Sequence, residues 1–327
     1  MKLRAIFLIS FGLILIFFGL SFPGKPGEES RNVIERGTSK SSETQEPVQR
    51  VVKPAGYIDN EALSVFSDRI KVATWNLQWF PGKKPGGGDP QTISDHLNAV
   101  KAELAKINPD ILLLQEVRDP NFVAQILEAL PGHSLHVMSD FSGNLEVGIS
   151  ARFPATEGYM EEFIAGATDD PPRGFAYAAF AIGNNVLGVY SVHLKSNSGG
   201  ISETAGKREE SARQLVLHAK KMEERFAKEG ISFTALIGGD YNIDPTSSKW
   251  DSDKTFGVLE EGGFEWTGNG LAKEEIISWL SNGQYPDAVF DHFFIRGEDN
   301  GYTKPVTQKT DRGPSDHRAV IIEVGLQ

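Results

Sequence analysis

Residues 235–245 read ALIGGDYNIDP, in which an apolar strand runs into two glycines and then presents Asp240 and Asn242. Side chains two positions apart on extended backbone project in the same direction, so this carboxylate and this amide are predicted to face one spot. The glycines would let a ligand or a neighbouring chain approach closely. This stretch predicts a core strand that ends on a polar site.

Other apolar runs are interrupted in the same way. ILLLQEV presents Glu116 after three leucines, and an ionised glutamate there is costly unless it is paired or bound to a metal. KVATWNLQWF presents Asn76, although asparagine also commonly ends strands by turning the chain. GPSDHRAVIIEV places Asp316 and His317 just before a last strand. These strand ends are predicted to converge on one cleft.

Four further residues carry weaker signals. Glu146 lies inside the strand-like LEVGIS, His193 ends GVYSVHLKS, and Asp291 lies within DAVFDHFFI. A glutamate paired across strands, or a histidine satisfied in the core, is the usual structural explanation for the first two. Arg173, at the start of a strand, either binds phosphate or pairs with the aspartates just before it.

The pattern of apolar residues predicts helices over 90–107, with Asp89 and Pro90 at the start and Asn108 at the end, and over 203–228. Strand-like runs occupy 70–75, 111–114, 145–150, 175–182, 186–193, 233–237, 288–295 and 319–324. Strands follow one another without a helix over 175–193, which excludes a purely parallel doubly wound sheet. We expect a mixed α/β fold in which helices cover packed sheets.

The amino-terminal region differs in composition from the rest. Residues 1–22 contain Lys2 and Arg4 and then an unbroken apolar run, which is typical of an export signal or an uncleaved membrane anchor. Residues 23–56 are polar and contain no aromatic side chain, as expected of a flexible linker. We assign the catalytic domain to 57–327 and expect an exported, periplasmic or extracellular monomer whose only membrane contact is an uncleaved amino-terminal segment.

The net charge is −11, and without residues 1–22 there are 31 basic and 44 acidic residues. This balance argues against a protein that coats nucleic acid by bulk electrostatics, which needs a basic surface. It is compatible with a metal-centred enzyme, because a bound divalent ion reverses the field at clustered carboxylates. The chain has no cysteine, which excludes disulfides, thiolate metal sites and cysteine nucleophiles.

The polar strand ends together offer oxygen ligands for a hard cation such as Mg²⁺, and imidazoles for proton transfer. Ser315, Asp316 and His317 cannot form a hydrolase triad, because consecutive residues cannot build that hydrogen-bond chain. Phosphate esters hydrolyse extremely slowly alone, and a cation with a base to activate water is what their hydrolysis requires. The sequence therefore favours metal-dependent phosphoester chemistry.

Seven short segments between roughly residues 70 and 325 resemble, in their order along the chain, the motifs of the endonuclease/exonuclease/phosphatase superfamily. The segments are TWNLQ, LLLQEV, LEVGI, VHLKS, GGDYN, DHFFI and SDH. This superfamily includes pancreatic-type deoxyribonucleases, abasic-site endonucleases, sphingomyelinases and inositol-polyphosphate phosphatases. The resemblance implies a four-layered α/β sandwich, two packed β-sheets flanked by helices, with the active site at one edge. It also implies Mg²⁺ or Mn²⁺ as cofactor, with a second cation such as Ca²⁺ as a further option.

The resemblance assigns roles by position. It places Asn76, Glu116 and Asp316 near the metal, Asp240 and Asn242 beside the scissile phosphate, His317 as the base oriented by Asp291, His193 with Glu146 at the leaving oxygen, and Arg173 at the phosphate. Lys195, in the VHLKS run, could bind the substrate backbone. His317 and Asp240 both remain candidates for the group that takes the proton from water.

Substrate identity is the open question from the sequence. The VHLKS run and the Glu146 and His193 pair favour a nuclease acting on DNA or RNA. A phosphomonoesterase or a sphingomyelinase-like lipid phosphodiesterase on the same scaffold is the nearest alternative. A non-catalytic exported binding protein is an alternative of another class, which the occupied polar positions disfavour. Lys83 and Lys84 could hold a nucleic-acid backbone, although loop lysines are more often simply solvated.

Overall fold

The computed structural model describes residues 69–143, 145–166, 169–182, 185–297, 301–310 and 312–325. The predicted export segment, the predicted linker and the first part of the predicted catalytic domain lie outside the described residues. Among the described residues, no helix is both long enough and apolar enough to cross a membrane.

Thirteen strands form two sheets in the described part of the chain. In chain order they are β1 Ile70–Phe80, β2 Ile111–Val117, β3 Ser134–Met138, β4 Glu146–Ala151, β5 Glu157–Glu162, β6 Gly174–Ile182, β7 Asn185–His193, β8 Ser232–Asp240, β9 Glu265–Trp266, β10 Asp291–Arg296, β11 Gly301–Tyr302, β12 Val306–Thr307 and β13 Val320–Gly325. The first sheet has the order β11-β13-β1-β2-β4-β3, with β12 also beside β13, and the second has the order β5-β6-β7-β8-β10-β9.

Both sheets are mixed. The pairs β1–β2 and β7–β8 are parallel, whereas β6–β7 and β8–β10 are antiparallel. At Gly239 an added Cβ would overlap the carbonyl oxygen of Val192 on the neighbouring strand. Gly239 therefore serves the close approach of a neighbouring strand, one of the two expected explanations, whereas an added Cβ at Gly238 would overlap the Phe293 and Leu113 side chains.

The helices that accompany the sheets are α1 Pro90–Ile107, α2 Pro120–Leu127, α3 Ile201–Lys228, α4 Thr255–Glu261 and α5 Lys273–Ile276, with a short 3₁₀ helix at Ser248–Trp250. The predicted start of α1 is confirmed, because the Asp89 side chain accepts a hydrogen bond from the Thr92 N–H and Pro90 is the first helical residue. Asn108 ends α1 in the left-handed region, with φ of 44°.

Period-two alternation places each strand between two cores. The inward-facing residues of both sheets pack together, as Val72, Leu113, Val189 and Leu236 do. The outward-facing residues of the first sheet pack against α1 and α2, and those of the second sheet pack against α3 and α4. The predicted four-layered α/β sandwich is therefore confirmed.

Candidate functional site

The predicted polar strand ends meet at one end of the inter-sheet layer. Asn76 continues the inward-facing alternation of β1, and His193, Asp240 and Asp291 continue that of β7, β8 and β10. The registers pair His193 with Asp240 and Asp240 with Asp291 on adjacent strands. The same alternation that builds the apolar core thus delivers these four side chains to one place.

Glu116 reaches the same place through an irregularity in β2. The pairing of β2 with β4 shifts register between Gln115 and Val117, and Glu116 itself has φ of 58°. A bulge of this kind re-aims a side chain, and left-handed backbone at a residue other than glycine costs about 1–3 kcal/mol. The surrounding sheet holds Glu116 in this conformation, which points its carboxylate at the other strand ends.

A buried polar layer separates the site from the apolar core. Gln115 donates to the Ser191 hydroxyl (3.0 Å) and lies within hydrogen-bond distance of the Thr74 hydroxyl, and Ser191 donates to the Leu114 carbonyl (3.0 Å). All three side chains are fully buried. Their hydrogen bonds join the two sheets directly beneath the site, a role that sequence reasoning did not predict.

The Asn76 amide joins two carboxylates. Its Nδ2 donates to Glu116 Oε1 (3.1 Å) and to Asp240 Oδ2 (3.0 Å), and its Oδ1 accepts the Gln78 N–H (2.9 Å). The Trp79 N–H donates to Glu116 Oε2 (2.8 Å). Asn76 therefore lies beside the predicted metal ligands, but it presents its NH₂ group to them rather than an oxygen.

Glu116, His193 and Asp240 offer ligand atoms that all lie within 4.8 Å of one another. The His193 Nε2 is 3.7 Å from Glu116 Oε1 and 3.6 Å from Asp240 Oδ2. Burial raises the pKa of Asp240 to about 7, and the Asp291 and Glu116 carboxylates add to the rise against the opposing charge of His317. A cation would relieve this cost, so the donor set fits a hard divalent ion.

His317 is held by the predicted partner. Its Nδ1 lies 2.7 Å from Asp291 Oδ2, and its Nε2 lies 3.8 Å from Asp240 Oδ2. Burial by itself lowers the pKa of His317, but the Asp291 and Asp240 carboxylates outweigh burial and raise it to about 10. The Ser315 hydroxyl accepts the His317 N–H and donates to the Asn76 carbonyl, which fixes the loop that carries the imidazole.

Asp316 is placed differently from Glu116. Its carboxylate accepts the Trp279 indole N–H (3.3 Å) and lies 3.7 Å from Arg312 Nη2, and its backbone N–H donates to Gln78 Oε1. It is not a member of the three-residue cluster found within the described residues. Asp316 adjoins the site through His317, and its role as a metal ligand stays a prediction.

The predicted pairing of Glu146 with His193 is wrong. Glu146 Oε2 accepts hydrogen bonds from the Ser139 hydroxyl (2.6 Å) and the Phe141 N–H (2.8 Å). Within the described part of the chain, the buried Nδ1 of His193 has no hydrogen-bond partner. Glu146 opens β4, where its carboxylate is used to satisfy the turn that joins β3 to β4. The sequence could not reveal this local competition.

The remaining predicted residues surround His193 and Asp240. Asn242, with φ of 55°, donates its N–H to Asp240 Oδ1 (2.8 Å). Arg173 donates from Nε to the His193 carbonyl (2.9 Å) and from Nη2 to the Leu194 carbonyl (2.7 Å). Burial lowers the pKa of Arg173, and the Asp240 and Glu116 carboxylates oppose this. A guanidinium is thus fixed close to the acidic pair.

Comparisons with known proteins show which family has this fold and these motifs. A sequence model described as the endonuclease/exonuclease/phosphatase family matches residues 73–317. No curated protein sequence matches the chain.

Solved structures share the fold. D. rerio TDP2 humanized by 14 mutations is 18% identical with a TM-score of 0.61, over 80% of this chain and 100% of that one. D. rerio TDP2 complexed with single strand DNA product is 17% identical with a TM-score of 0.58, over 80% and 100%. An endonuclease/exonuclease/phosphatase from Beutenbergia cavernae DSM 12333 is 16% identical with a TM-score of 0.57, over 79% and 72%. At these identities the likeness concerns the fold alone.

Proposed function

The chain belongs to the endonuclease/exonuclease/phosphatase family, whose members hydrolyse phosphoesters with divalent metals, and on this basis we propose that it is a nuclease that hydrolyses phosphodiesters of DNA or RNA. One observation carries the proposal. The Nε2 atoms of His193 and His317 lie 3.6 and 3.8 Å from the same oxygen, Asp240 Oδ2, beside the Glu116 carboxylate. Two imidazoles at one acidic centre suit a reaction in which one imidazole takes a proton from water and the other donates a hydrogen bond to the departing oxygen.

The Glu116 and Asp240 carboxylates would hold the cation, and the His193 imidazole beside them would keep its N–H for the departing oxygen. A divalent cation there supplies positive charge to the phosphate and takes over the carboxylate charge that otherwise keeps the proton on His317. Asn76 and the Trp79 N–H orient the Glu116 carboxylate, as supporting hydrogen bonds around metal ligands do. Mg²⁺ is the ion we propose, with Mn²⁺ as its substitute.

His317 acts as the general base in this scheme. Asp291 holds the Nδ1 side of the ring, so Nε2 faces the centre, where it takes a proton from the attacking water. His193 stabilises the departing oxygen by donating a hydrogen bond. Burial and the nearby Arg173 charge lower the pKa of His193 well below its usual value, so its imidazole is neutral. Arg173, held by two carbonyl groups, contacts the phosphate, and Lys195 lies next to it along the substrate.

Nucleic acid is the proposed substrate for two reasons. D. rerio TDP2, which shares the fold, has been captured with a single strand DNA product. The cations Arg173 and Lys195 lie beside the site, in a chain whose net charge is otherwise −11. Phosphate contacts by such residues position nucleic acid without reading its sequence.

The test is hydrolysis by the purified protein of supercoiled plasmid DNA, RNA, sphingomyelin and a panel of phosphomonoesters, each with and without Mg²⁺. We expect plasmid or RNA cleavage that requires the metal and is lost in Glu116→Gln. Hydrolysis of monoesters or sphingomyelin alone would move the enzyme to the phosphatase or lipid alternatives. Metal binding without any hydrolysis would favour the non-catalytic alternative.

Export is a separate proposal that rests on the sequence of residues 1–22. It is tested by fractionating cells that express the full chain and sequencing the amino terminus of the recovered protein. A mature terminus near residue 22 in the exported fraction supports cleavage, whereas an intact terminus in membranes supports an anchor. Recovery of all protein in the cytoplasm would overturn the proposal.

A further inference from the structure

Two loops of the first sheet meet beside the site. The loop after β1 reads PGKKPGGG, and the loop before β13 carries Arg312, Gly313 and Asp316. The Lys83 ammonium group donates a hydrogen bond to the Gly313 carbonyl, which ties the two loops together. Lys83 itself has φ of 60°, so its backbone is held in the left-handed region while its side chain spans the gap.

Among the described residues of this junction, Lys83, Lys84 and Arg312 are positive and Asp316 is negative. The Asp316 carboxylate lies 3.7 Å from Arg312 Nη2, accepts the Trp279 indole N–H, and attracts the Lys83 ammonium group without a direct ion pair. Burial lowers the pKa of Lys83; Asp316 opposes this, and Arg312 adds to it. Two cations that repel each other and remain in part open to solvent form a place where an anion would be stabilised.

The cations of the junction and the other cations near the acidic centre come from different sheets. Arg173 and Lys195 belong to the second sheet and its loops, and Arg173 lowers the pKa of Lys195, after the larger effect of burial. Lys83 and Arg312 belong to loops of the first sheet, on the side of Asp316 and His317. Glu116, from the first sheet, and Asp240, from the second, meet at the Asn76 amide. Both sheets therefore contribute a carboxylate to the centre and cations to its surroundings.

We propose that Lys83 and Arg312 form a second phosphate subsite, which binds the phosphate of a nucleotide next to the scissile phosphodiester. This inference rests on the proposed nuclease function and deepens it. With one phosphate at this subsite and another near Arg173 and Lys195, the favoured substrate is a phosphodiester inside a strand, not a terminal phosphate or a small diester. The proposal involves binding only and adds no chemical step.

The experiment compares two substrates, a short single-stranded oligonucleotide and bis(p-nitrophenyl) phosphate, which has no neighbouring phosphate. The variants are Lys83→Met and Arg312→Gln, and the control is Lys220→Met, which removes an exposed charge from α3. We expect each variant to lose about tenfold or more in kcat/KM on the oligonucleotide relative to its loss on the small diester. The control should match the wild type on both. The log–log salt dependence of oligonucleotide binding should become shallower by about 0.7 for each phosphate that the variant no longer neutralises.

A second arm identifies the phosphate. Single neutral methylphosphonates are placed at each position of the oligonucleotide in turn, and the position that weakens the wild type should have no further effect on Arg312→Gln. Among the described residues, the ion pair of the exposed Arg312 is with Asp316, so Arg312→Gln decides the matter if Lys83→Met does not fold. Equal losses on both substrates, or the same methylphosphonate sensitivity in wild type and variants, would overturn the subsite while leaving the proposed function intact. Hydrolysis of neither substrate by the wild type would overturn the proposed function and the subsite with it.

Discussion

Two histidines, His317 and His218, are almost equally buried, at 7% and 6% exposure, yet their pKa values are shifted in opposite directions. His317 faces the carboxylates of Asp291 and Asp240, and its pKa is raised to about 10 against the effect of burial. His218, on α3, has neutral hydroxyl groups as its hydrogen-bond partners, and burial lowers its pKa to about 4. The partners of a buried histidine, rather than its burial, decide whether it can take part in proton transfer.

The surroundings of His218 are aromatic. Its Nε2 lies 2.8 Å from the Tyr159 hydroxyl and its Nδ1 lies 3.0 Å from the Tyr190 hydroxyl, while the rings of Phe175 and Tyr177 pack edge-on against it. A neutral imidazole needs one donor and one acceptor, and hydroxyl groups supply both. His218 is therefore a satisfied core residue. The two regions should respond differently to substitution and to pH.

The largest expected effect is on catalysis at His317. Replacement by Gln keeps an N–H that can reach Asp291 but removes the titratable nitrogen, so kcat/KM should fall about a hundredfold or more on every substrate. His218→Gln should keep wild-type kcat/KM, because its site is sealed from the reaction. Steady-state kinetics on preparations matched by circular dichroism measure both. A loss of activity at His218 equal to that at His317 would break the comparison.

The next effect is on stability in acid. The pKa of His218 in the folded protein is about 4, below its ordinary value of 6.5, so the unfolded chain binds the proton more readily. Stability due to the neutral ring is complete above pH 6.5 and is lost as pH falls towards about 4. The loss is on the order of 3 kcal/mol, from about 1.4 kcal/mol per pKa unit.

The measurement is urea unfolding of wild type and His218→Gln at successive pH values through this window. Gln cannot be protonated, so the unfolding free energy of the variant should depend less on pH. The titration of all other groups cancels when the two proteins are compared. Burial is the main cause of the lowered pKa, Lys221 and Arg225 add to it, and the exposed Glu161 carboxylate, 3.9 Å away, is screened by water. Identical slopes for both proteins would show that His218 is not buried in a neutral form.

The sequence predicted the fold well where elements are long. The caps of α1 and the apolar spacing of α3 are local signals, and both helices appear within a few residues of their predicted bounds. The two-residue strands β9, β11 and β12 were not predicted, because two residues show no alternation and such strands exist only through distant partners. The predicted strand from 288 begins at Asp291, since Ala288 forms a bridge with Trp279 instead.

At the site, alternation within strands predicted which side chains face the centre but not which groups they contact. The bond between His317 and Asp291 was expected from the resemblance and is present. The orientation of the Asn76 amide and the capture of Glu146 by the Phe141 N–H depend on backbone groups in turns, which residue types do not specify. The aromatic partners of His218 come from three separate strands, so its sequence neighbours on α3 do not reveal them.

A smaller effect is expected on metal affinity at Glu116. Glu116→Gln keeps the shape of the side chain and can still accept one of the hydrogen bonds that Asn76 and the Trp79 N–H donate to the two Glu116 oxygens, but it removes one of the two carboxylates. Mg²⁺ or Mn²⁺ affinity measured by calorimetry should fall about tenfold or more, roughly 1.4 kcal/mol. Glu128→Gln, at an exposed carboxylate paired with Lys101, is the control and should bind like the wild type. Unchanged affinity in Glu116→Gln would remove Glu116 from the site.

The smallest effect tests the neutral partner of His218, as Asp291 is the charged partner of His317. Tyr159→Phe removes the hydroxyl beside Nε2, and the imidazole can then keep its N–H on Nδ1 and donate to Tyr190. Only one lone pair loses its partner, so the unfolding free energy should fall by about 1 kcal/mol with no change in kcat/KM. Tyr285→Phe, at an exposed tyrosine, should change neither quantity. Denaturant unfolding and kinetics on the same samples measure both quantities. A loss of activity in Tyr159→Phe without a loss of stability would show that the aromatic cluster around His218 is coupled to the site. That result would contradict the comparison of the two histidines, in which only His317 takes part in the reaction.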